Sequence, residues 1–256
     1  MICRLCNSRN LSLFYAQGDQ NQYKFYKCHN CGLVNLDLSS IDICINQRKY
    51  EQITFEISED SKHTYRYIKK NIKQRGNLLD IGCGNGSLLY LAKNDGWHVT
   101  GIELSESLAR QIKKELDIDV LTGNFVDIKN LDSQFDLITI RHVIEHIPDS
   151  NLVMQKIHNM LKPNGFAILE FPNIEGISFK FKRFLTKIDL HHKEYDANYK
   201  PGHCNEFSKK SFAFSASQNG FKIIKWETYS RTKIGAIWNK LFSIGTKARV
   251  LVQKVS

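Results

Sequence analysis

The sequence predicts an α/β fold in which helices cover both faces of a mainly parallel sheet, preceded by a small cysteine ribbon. Three observations carry the prediction. Between residues 76 and 173, short apolar runs alternate with stretches of helical period, the grammar of strands joined by crossover helices. A glycine loop, Gly82-x-Gly84-x-Gly86, joins the first run to the first helix. Two Cys-x-x-Cys pairs stand within the first 31 residues. The 256 residues, 42% hydrophobic and 24% charged, suit one ordinary domain with an appendage and exclude a wholly disordered chain.

The ribbon comes first. Cys3-x-x-Cys6 and Cys28-x-x-Cys31 are separated by 21 residues, which suits two knuckles aimed at one tetrahedral zinc ion with a hairpin between them. Gly32 fits a turn that needs positive φ, and Tyr23–Cys28 reads as a strand entering the second knuckle. With all four positions filled by cysteine, the expected role of the metal is structural. The seven cysteines are an odd number, and no apolar export segment is present at the N-terminus, so a reducing, cytoplasmic setting is expected. No run approaches the roughly 18–20 apolar residues that span a bilayer. Residues 38–75 form a polar connector in which Tyr65, Ile68 and Ile72 mark a helix face over Ser61–Ile72. Tyr50, Tyr65 and Tyr67 either pack or meet a ligand.

In the central segment Leu78–Ile81 is a strand that runs into the glycine loop and a helix, Ser87–Asn94. His98–Glu103 is a second strand, ending in a carboxylate. Ser105 caps a helix carrying Leu108, Ile112 and Leu116. The third glycine falls one residue early for a G-x-G-x-x-G dinucleotide loop, which argues against NAD. Asp149 reads as the cap of a helix carrying Val153, Ile157 and Met160.

Asp80-x-Gly82-x-Gly84-x-Gly86 followed by Glu103, then Asn124-Phe125, Phe135-Asp136, Glu145-His146-Ile-Pro148 and Lys162-Pro163-Asn164-Gly165, resembles the class I S-adenosylmethionine (SAM)-dependent methyltransferases over about residues 76–173. The resemblance implies a Rossmann-like sheet and SAM as cofactor. By it, Asp80 and the backbone of Gly82, Cys83, Gly84 and Gly86 hold the methionine part, Glu103 holds the ribose, and Asn124 and Phe125 meet the adenine. Family members usually have Asp at the place of Asn124. Arg141 and His142 would line the cofactor or acceptor pocket. His146, beside Glu145, either takes a proton from the acceptor or braces the loop ahead of Pro148. Glu145 orients it or binds acceptor.

Residues 174–207 correspond to an insertion over the acceptor side, including the aromatic–cationic run Phe179–Phe184. Pro201-x-His203-x-x-x-Phe207-Ser208 resembles a stretch of small-molecule methyltransferases, which puts His203 at the mouth of the site as an acceptor contact or base. Ser208 starts a helix ending at Asn219, and Phe221 opens a late strand. The last segment, 231–256, is basic with Ile237, Trp238, Leu241 and Phe242 on an apolar face. It reads either as an interfacial helix on an anionic membrane or as a segment packed on the domain or a second subunit. The expected partition is a ribbon at 1–37, a connector at 38–75, a methyltransferase domain at 76–230 and a basic tail at 231–256.

Net charge is +5 over 1–75, −5 over 76–173 and +10 over 174–256. Together with the resemblance to bacterial zinc-ribbon methyltransferases of surface-glycan pathways, the basic flanks imply a small, phosphate-bearing acceptor, a nucleotide-linked or lipid-linked sugar. The same flanks would suit an RNA methyltransferase. Glu145-His146-Ile147-Pro148 is not the Asn/Asp-Pro-Pro-aromatic signature that clamps a base amine.

Overall fold

The computed structural model describes residues 1–39, 54–131, 134–177, 179–181, 183, 199–230 and 245–255. The ribbon is a hairpin of β1 (Leu11–Gln17) and β2 (Tyr23–Cys28) with a short third strand, β3 (Val34–Leu36). Gly32 adopts φ +84°, as its place after the second knuckle requires. Helix α1 (Glu59–Asn71) follows the connector. The Ser58 side chain caps it, with Glu59 and Asp60 in the first turn and Lys69 and Lys70 in the last, each sign matched to the helix dipole.

The main sheet takes β4 (Asn77–Ile81), β5 (His98–Glu103), β6 (Asp119–Thr122), β7 (Phe135–Arg141) and β8 (Leu161–Pro172). Between them lie α2 (Ser87–Lys93), α3 (Glu106–Leu116) and α4 (Ser150–Met160). After β8 come β9 (Asn205–Glu206), α5 (Lys209–Gln218), β10 (Phe221–Tyr229) and β11 (Lys247–Lys254). Among the described residues the strand order is β10-β11-β8-β7-β4-β5-β6. Pairing is parallel from β8 through β6. β11 runs antiparallel to both of its neighbours. The order reverses at β4, which has β5 on one side and β7 on the other, so the carboxyl ends of these three strands open the crevice where such sheets bind ligands.

Alternation along the strands builds two cores. Leu78, Leu137, Ile168 and Leu251 face α1, α2 and α3 through Ile68, Leu88, Leu89 and Ile112. Leu79, Ile138, Leu169 and Val250 face α4 and α5 through Val153, Ile157, Phe212 and Ala216. The second core continues into the ribbon, because Cys3, Leu5, Cys28, Cys31 and Leu33 are buried in the same cluster. The expected caps form: Ser105 accepts from Leu108 N–H, Asp149 from Leu152 N–H, and Ser208 makes a capping box with Ser211.

One expectation needs correction. Residues 247–254 of the basic tail are not part of an amphipathic appendage but a strand inside the sheet, between β10 and β8. Its Arg249 and Val250–Val252 are buried. The methyltransferase sheet therefore extends past residue 230. The ribbon is joined to the domain, because β3 pairs with β9, from the far end of the acceptor-side insertion. Tyr50, the apolar face at 231–244 and, from the run Phe179–Phe184, Lys182 and Phe184 fall outside the described residues. Among the described residues no helix is long and apolar enough to cross a membrane.

Candidate active site

The glycine loop leaves β4 in a sharp turn, and Gly82 takes φ +70°. A Cβ there would stand 2.5 Å from Val143 Cγ2, so the loop after β7 lies directly against it. At Gly84, φ +58°, a Cβ would meet nothing within 4 Å, which leaves open space in front of the loop backbone. Glu103 closes this crevice. Its Oε2 accepts from Gly84 N–H at 2.9 Å and its Oε1 from Ser105 N–H at 3.0 Å. The carboxylate is thus fixed, and each oxygen keeps a second lone pair for a ligand hydroxyl.

Asp80 sits beneath the loop, fully buried. Its Oδ1 accepts from Thr139 Oγ1 at 2.6 Å, while Oδ2 lies 3.5 Å from Arg141 Nη2 and has no hydrogen-bond partner. Burial pushes this carboxyl up, against the pull of Arg141 and Thr139. Cys83 is buried too, and burial pushes its thiol well up, so it packs rather than reacts. Asn124 caps the turn after β6 by accepting from Val126 N–H at 3.3 Å. Phe125 turns its ring into the core.

The second group of expected residues gathers after β7. His142 has φ +56°, and its Nε2 faces Lys247 Nζ at 3.0 Å. The ammonium can only donate, so the proton on the ring is on Nδ1, which lies 3.4 Å from Glu145 Oε1. Glu145 is 1% exposed, and neither of its oxygens has a hydrogen-bond partner. A buried carboxylate with no hydrogen bond and only the His142 imidazole beside it is costly, and such groups cluster where a ligand completes them. His146 Nδ1 is 2.6 Å from the carbonyl oxygen of Gly202. A carbonyl only accepts, so Nδ1 carries the proton and Nε2 presents a lone pair. The His203 ring lies edge-on to His146 at 5.0 Å, and its Nδ1 contacts Glu206 Oε1 at 3.1 Å. Burial works against the charged form of His203, but Glu206 outweighs it and the imidazole is raised above its usual range. Glu145, His146 and His203 bring ligand atoms within 4.8 Å of one another, a donor set whose chemistry also suits a divalent cation.

In the ribbon, the four cysteine sulfurs lie within 4.8 Å of one another, with Cys3–Cys31 and Cys6–Cys28 each at 3.5 Å. Four sulfurs at about 2.3 Å from one zinc would stand about 3.8 Å apart, so the cluster has the size of a zinc site. The hydrogen bond between Cys3 and Cys31 draws the Cys3 thiol down and pushes the Cys31 thiol up. Asn35 Nδ2 donates to Cys3 Sγ at 3.7 Å.

Asp80, the glycine loop, Glu103, Asn124 and Arg141 thus lie at the carboxyl ends of β4 to β7, Glu145, His146 and His203 gather together after β7, and Cys83 and Phe125 pack into the cores. Sequence reasoning missed Thr139, Lys247, Gly202 and Glu206. Only Glu206, three residues from His203, carried a local signal.

A parallel sheet of this order with a glycine loop and a pinned acid at its switch point defines a class I SAM-dependent methyltransferase fold. Comparison with known proteins agrees: residues 56–225 match the family described as "Methyltransferase domain", and the chain belongs to that family. It is 34% identical over 129 residues to a ubiquinone biosynthesis O-methyltransferase of Coxiella burnetii, covering 48% of this chain and 53% of that protein. The chain thus spans about half the length of the first curated relatives it matches. A demethylmenaquinone methyltransferase of Listeria monocytogenes is 27% identical over 188 residues, covering 66% of this chain and 78% of the other. A SAM-dependent methyltransferase of Archaeoglobus fulgidus superposes with TM-score 0.57 at 19% identity, over 76% of this chain and 93% of the other. One from Methanosarcina mazei gives TM-score 0.57 at 17% identity, over 75% and 98%. Neither curated relative's name concerns a glycan.

Proposed function

We propose that the protein transfers the methyl group of SAM to a small-molecule acceptor, with His146 taking the acceptor's proton. The observation that carries this reading is the His146–Gly202 hydrogen bond, which occupies Nδ1 and leaves Nε2 for an acceptor hydroxyl. When bound, SAM supplies a methyl group already activated by its sulfonium, so the protein's task is mainly alignment and proton removal. Glu103 would take the ribose hydroxyls, the loop backbone at Gly82–Gly86 and the Asp80–Arg141 pair the methionine part, and Asn124 the adenine. Glu145 would steady the imidazolium that forms on His146, or hold an acceptor hydroxyl. Zinc on Cys3, Cys6, Cys28 and Cys31 would be structural.

For the acceptor we favour a phosphate-bearing sugar. A cavity of about 450 Å³ between the ribbon and the acceptor-side insertion is lined by Lys27, Lys180 and Arg183 with Phe14 and Phe179, against one acid, Glu175. Cations beside aromatic rings suit a phosphate next to a flat ring. A quinol hydroxyl is the second reading, favoured by the similarity to the Coxiella and Listeria enzymes. The test is methyl transfer from labelled SAM to two panels, nucleoside diphosphate sugars and demethylated quinols, after calorimetric titration with S-adenosylhomocysteine. Binding of the nucleoside and labelling of a sugar support the first reading. Labelling of a quinol alone moves the acceptor to the second, and absence of nucleoside binding overturns both.

A further inference from the structure

We propose that the cysteine ribbon is a built-in part of the acceptor side of the site, and that Arg4, between Cys3 and Cys6, is the positioning residue that holds His203 and Gly202 in place. The inference rests on the reading of His146 and His203 as the acceptor-side pair. Its physical basis is the path of segment 199–207. That segment supplies the carbonyl that sets the His146 tautomer, at Gly202, and the second imidazole, at His203. Its own contacts divide between the methyltransferase domain and the ribbon. On the domain side, Cys204 N–H donates to Glu145 O at 2.8 Å, and Asn205 Nδ2 donates to Ile147 O at 2.8 Å. On the ribbon side, β9 pairs with β3, Val34 against Glu206 and Asn35 against Asn205. Leu36 N–H donates to Cys204 O at 2.9 Å.

Arg4 clamps this junction. Its Nη1 donates to Leu36 O at 2.8 Å, its Nη2 to Cys204 O, and its Nη2 and Nε to Asn205 Oδ1 at 3.1 and 3.3 Å. One planar fork thus ties the first knuckle to β3 and to the residues just after His203, a geometry that a lysine cannot reproduce. The ribbon adds two further ties. Tyr15 OH lies 3.4 Å from Glu206 Oε1, the oxygen that faces His203, and Tyr23 OH donates to Tyr199 O at 2.7 Å. A two-residue strand such as β9 has too few bonds to hold itself. Its order must come from the surfaces on both sides.

The test compares the full-length wild type with Arg4→Gln, which keeps all four cysteines. Hydrogen exchange by mass spectrometry reads the 199–207 amides, and nitrogen NMR reads the His146 tautomer. Zinc content and calorimetric affinity for S-adenosylhomocysteine are measured on the same samples. The expected result is exchange about 10- to 100-fold faster in 199–207, the range set by loss of charged hydrogen bonds, with the strands β4 to β8 still protected. His146 should lose its fixed Nδ1–H tautomer, while zinc and nucleoside binding stay as in the wild type. Asn205→Ala, which removes the fork's side-chain acceptor together with the Asn205–Ile147 tie and leaves every ribbon residue unchanged, should do the same and covers the case in which Arg4→Gln fails to fold. Wild-type protection and tautomer in whichever variants fold, or full rescue of both by Arg4→Lys, would overturn the proposal. Failure of the wild type to bind the nucleoside would instead sink the methyltransferase reading and leave the exchange result standing by itself.

Discussion

Glu103 stands at the carboxyl end of β5, where its carboxylate meets the glycine loop. An acid at the end of the second strand, 19 residues after Gly84, has few reasons to be there except to serve the loop and its ligand. The structure adds that the side chain also holds the loop in shape, through Gly84 and Ser105. Glu103→Ala should therefore weaken S-adenosylhomocysteine binding by about 1.5–3 kcal/mol, the scale of hydrogen bonds to a charged group; unchanged affinity by calorimetry would remove it from the site. The state of Glu145 was not legible, because burial without a hydrogen bond depends on what surrounds a side chain in space. His203 gives a prediction with a sign. Glu206 raises its pKa above the unfolded value, so the pair stabilises the fold fully below about pH 6.5. That contribution is lost as pH rises through the raised folded pKa. The difference in midpoint between wild type and Glu206→Gln should then be largest in mild acid and shrink toward alkaline pH. A difference that grows with pH would show that the imidazole and carboxylate do not interact as described.

At the scale of elements, the strands and helices between 76 and 173 follow from local pattern, and those at the chain's end do not. β11 reads as basic because Lys247, Arg249 and Lys254 flank its apolar residues, yet Arg249 is buried. What makes it a strand is a partner 79 residues away: Arg249 Nε donates to Glu170 Oε1 at 2.6 Å. Thr64 Oγ1 of α1 and Tyr229 OH of β10 also donate to Glu170, so one carboxylate joins α1, β8, β10 and β11. Burial pushes Glu170 up, but Arg249, Arg141 and these hydrogen bonds outweigh it and hold it below the usual range. Arg249→Met leaves that carboxylate buried without its cation and should destabilise the fold by about 3–5 kcal/mol in denaturant unfolding. In the wild type the stabilising contribution of Glu170 is present above its unfolded pKa, about 4.3, and is lost as pH falls through the lowered folded value. A loss below about 1 kcal/mol would place Arg249 among exposed ion pairs, contrary to its burial.

For the whole molecule, the decisive feature is that ribbon and domain share one core. A module of fewer than forty residues with four cysteines reads, from sequence, as an appendage folded by its own metal. Spacing within the ribbon says nothing about β3 reaching β9, since that contact joins residues 34–35 to 205–206. Leu5 and Leu33 are buried with Phe171, Phe207 and Phe212 in a single cluster, and Asn151 Nδ2 of α4 donates to Leu5 O at 3.1 Å. An independent ribbon would unfold on chelation and leave the domain's own transition where it was. A shared core cannot lose one side without exposing the other, so removing zinc should lower the midpoint of the entire chain. Each kcal/mol lost moves the midpoint by about 2–4 °C in a domain of 150–250 residues. Scanning calorimetry of the metal-loaded and chelated protein, each with saturating S-adenosylhomocysteine, decides between these cases. One transition displaced downward is the expected result. Two transitions, with the upper one unmoved, would mean that the ribbon folds alone and that its packing against α4 and α5 contributes little. The domain would then reach its full stability without the segment that carries Cys3 to Cys31.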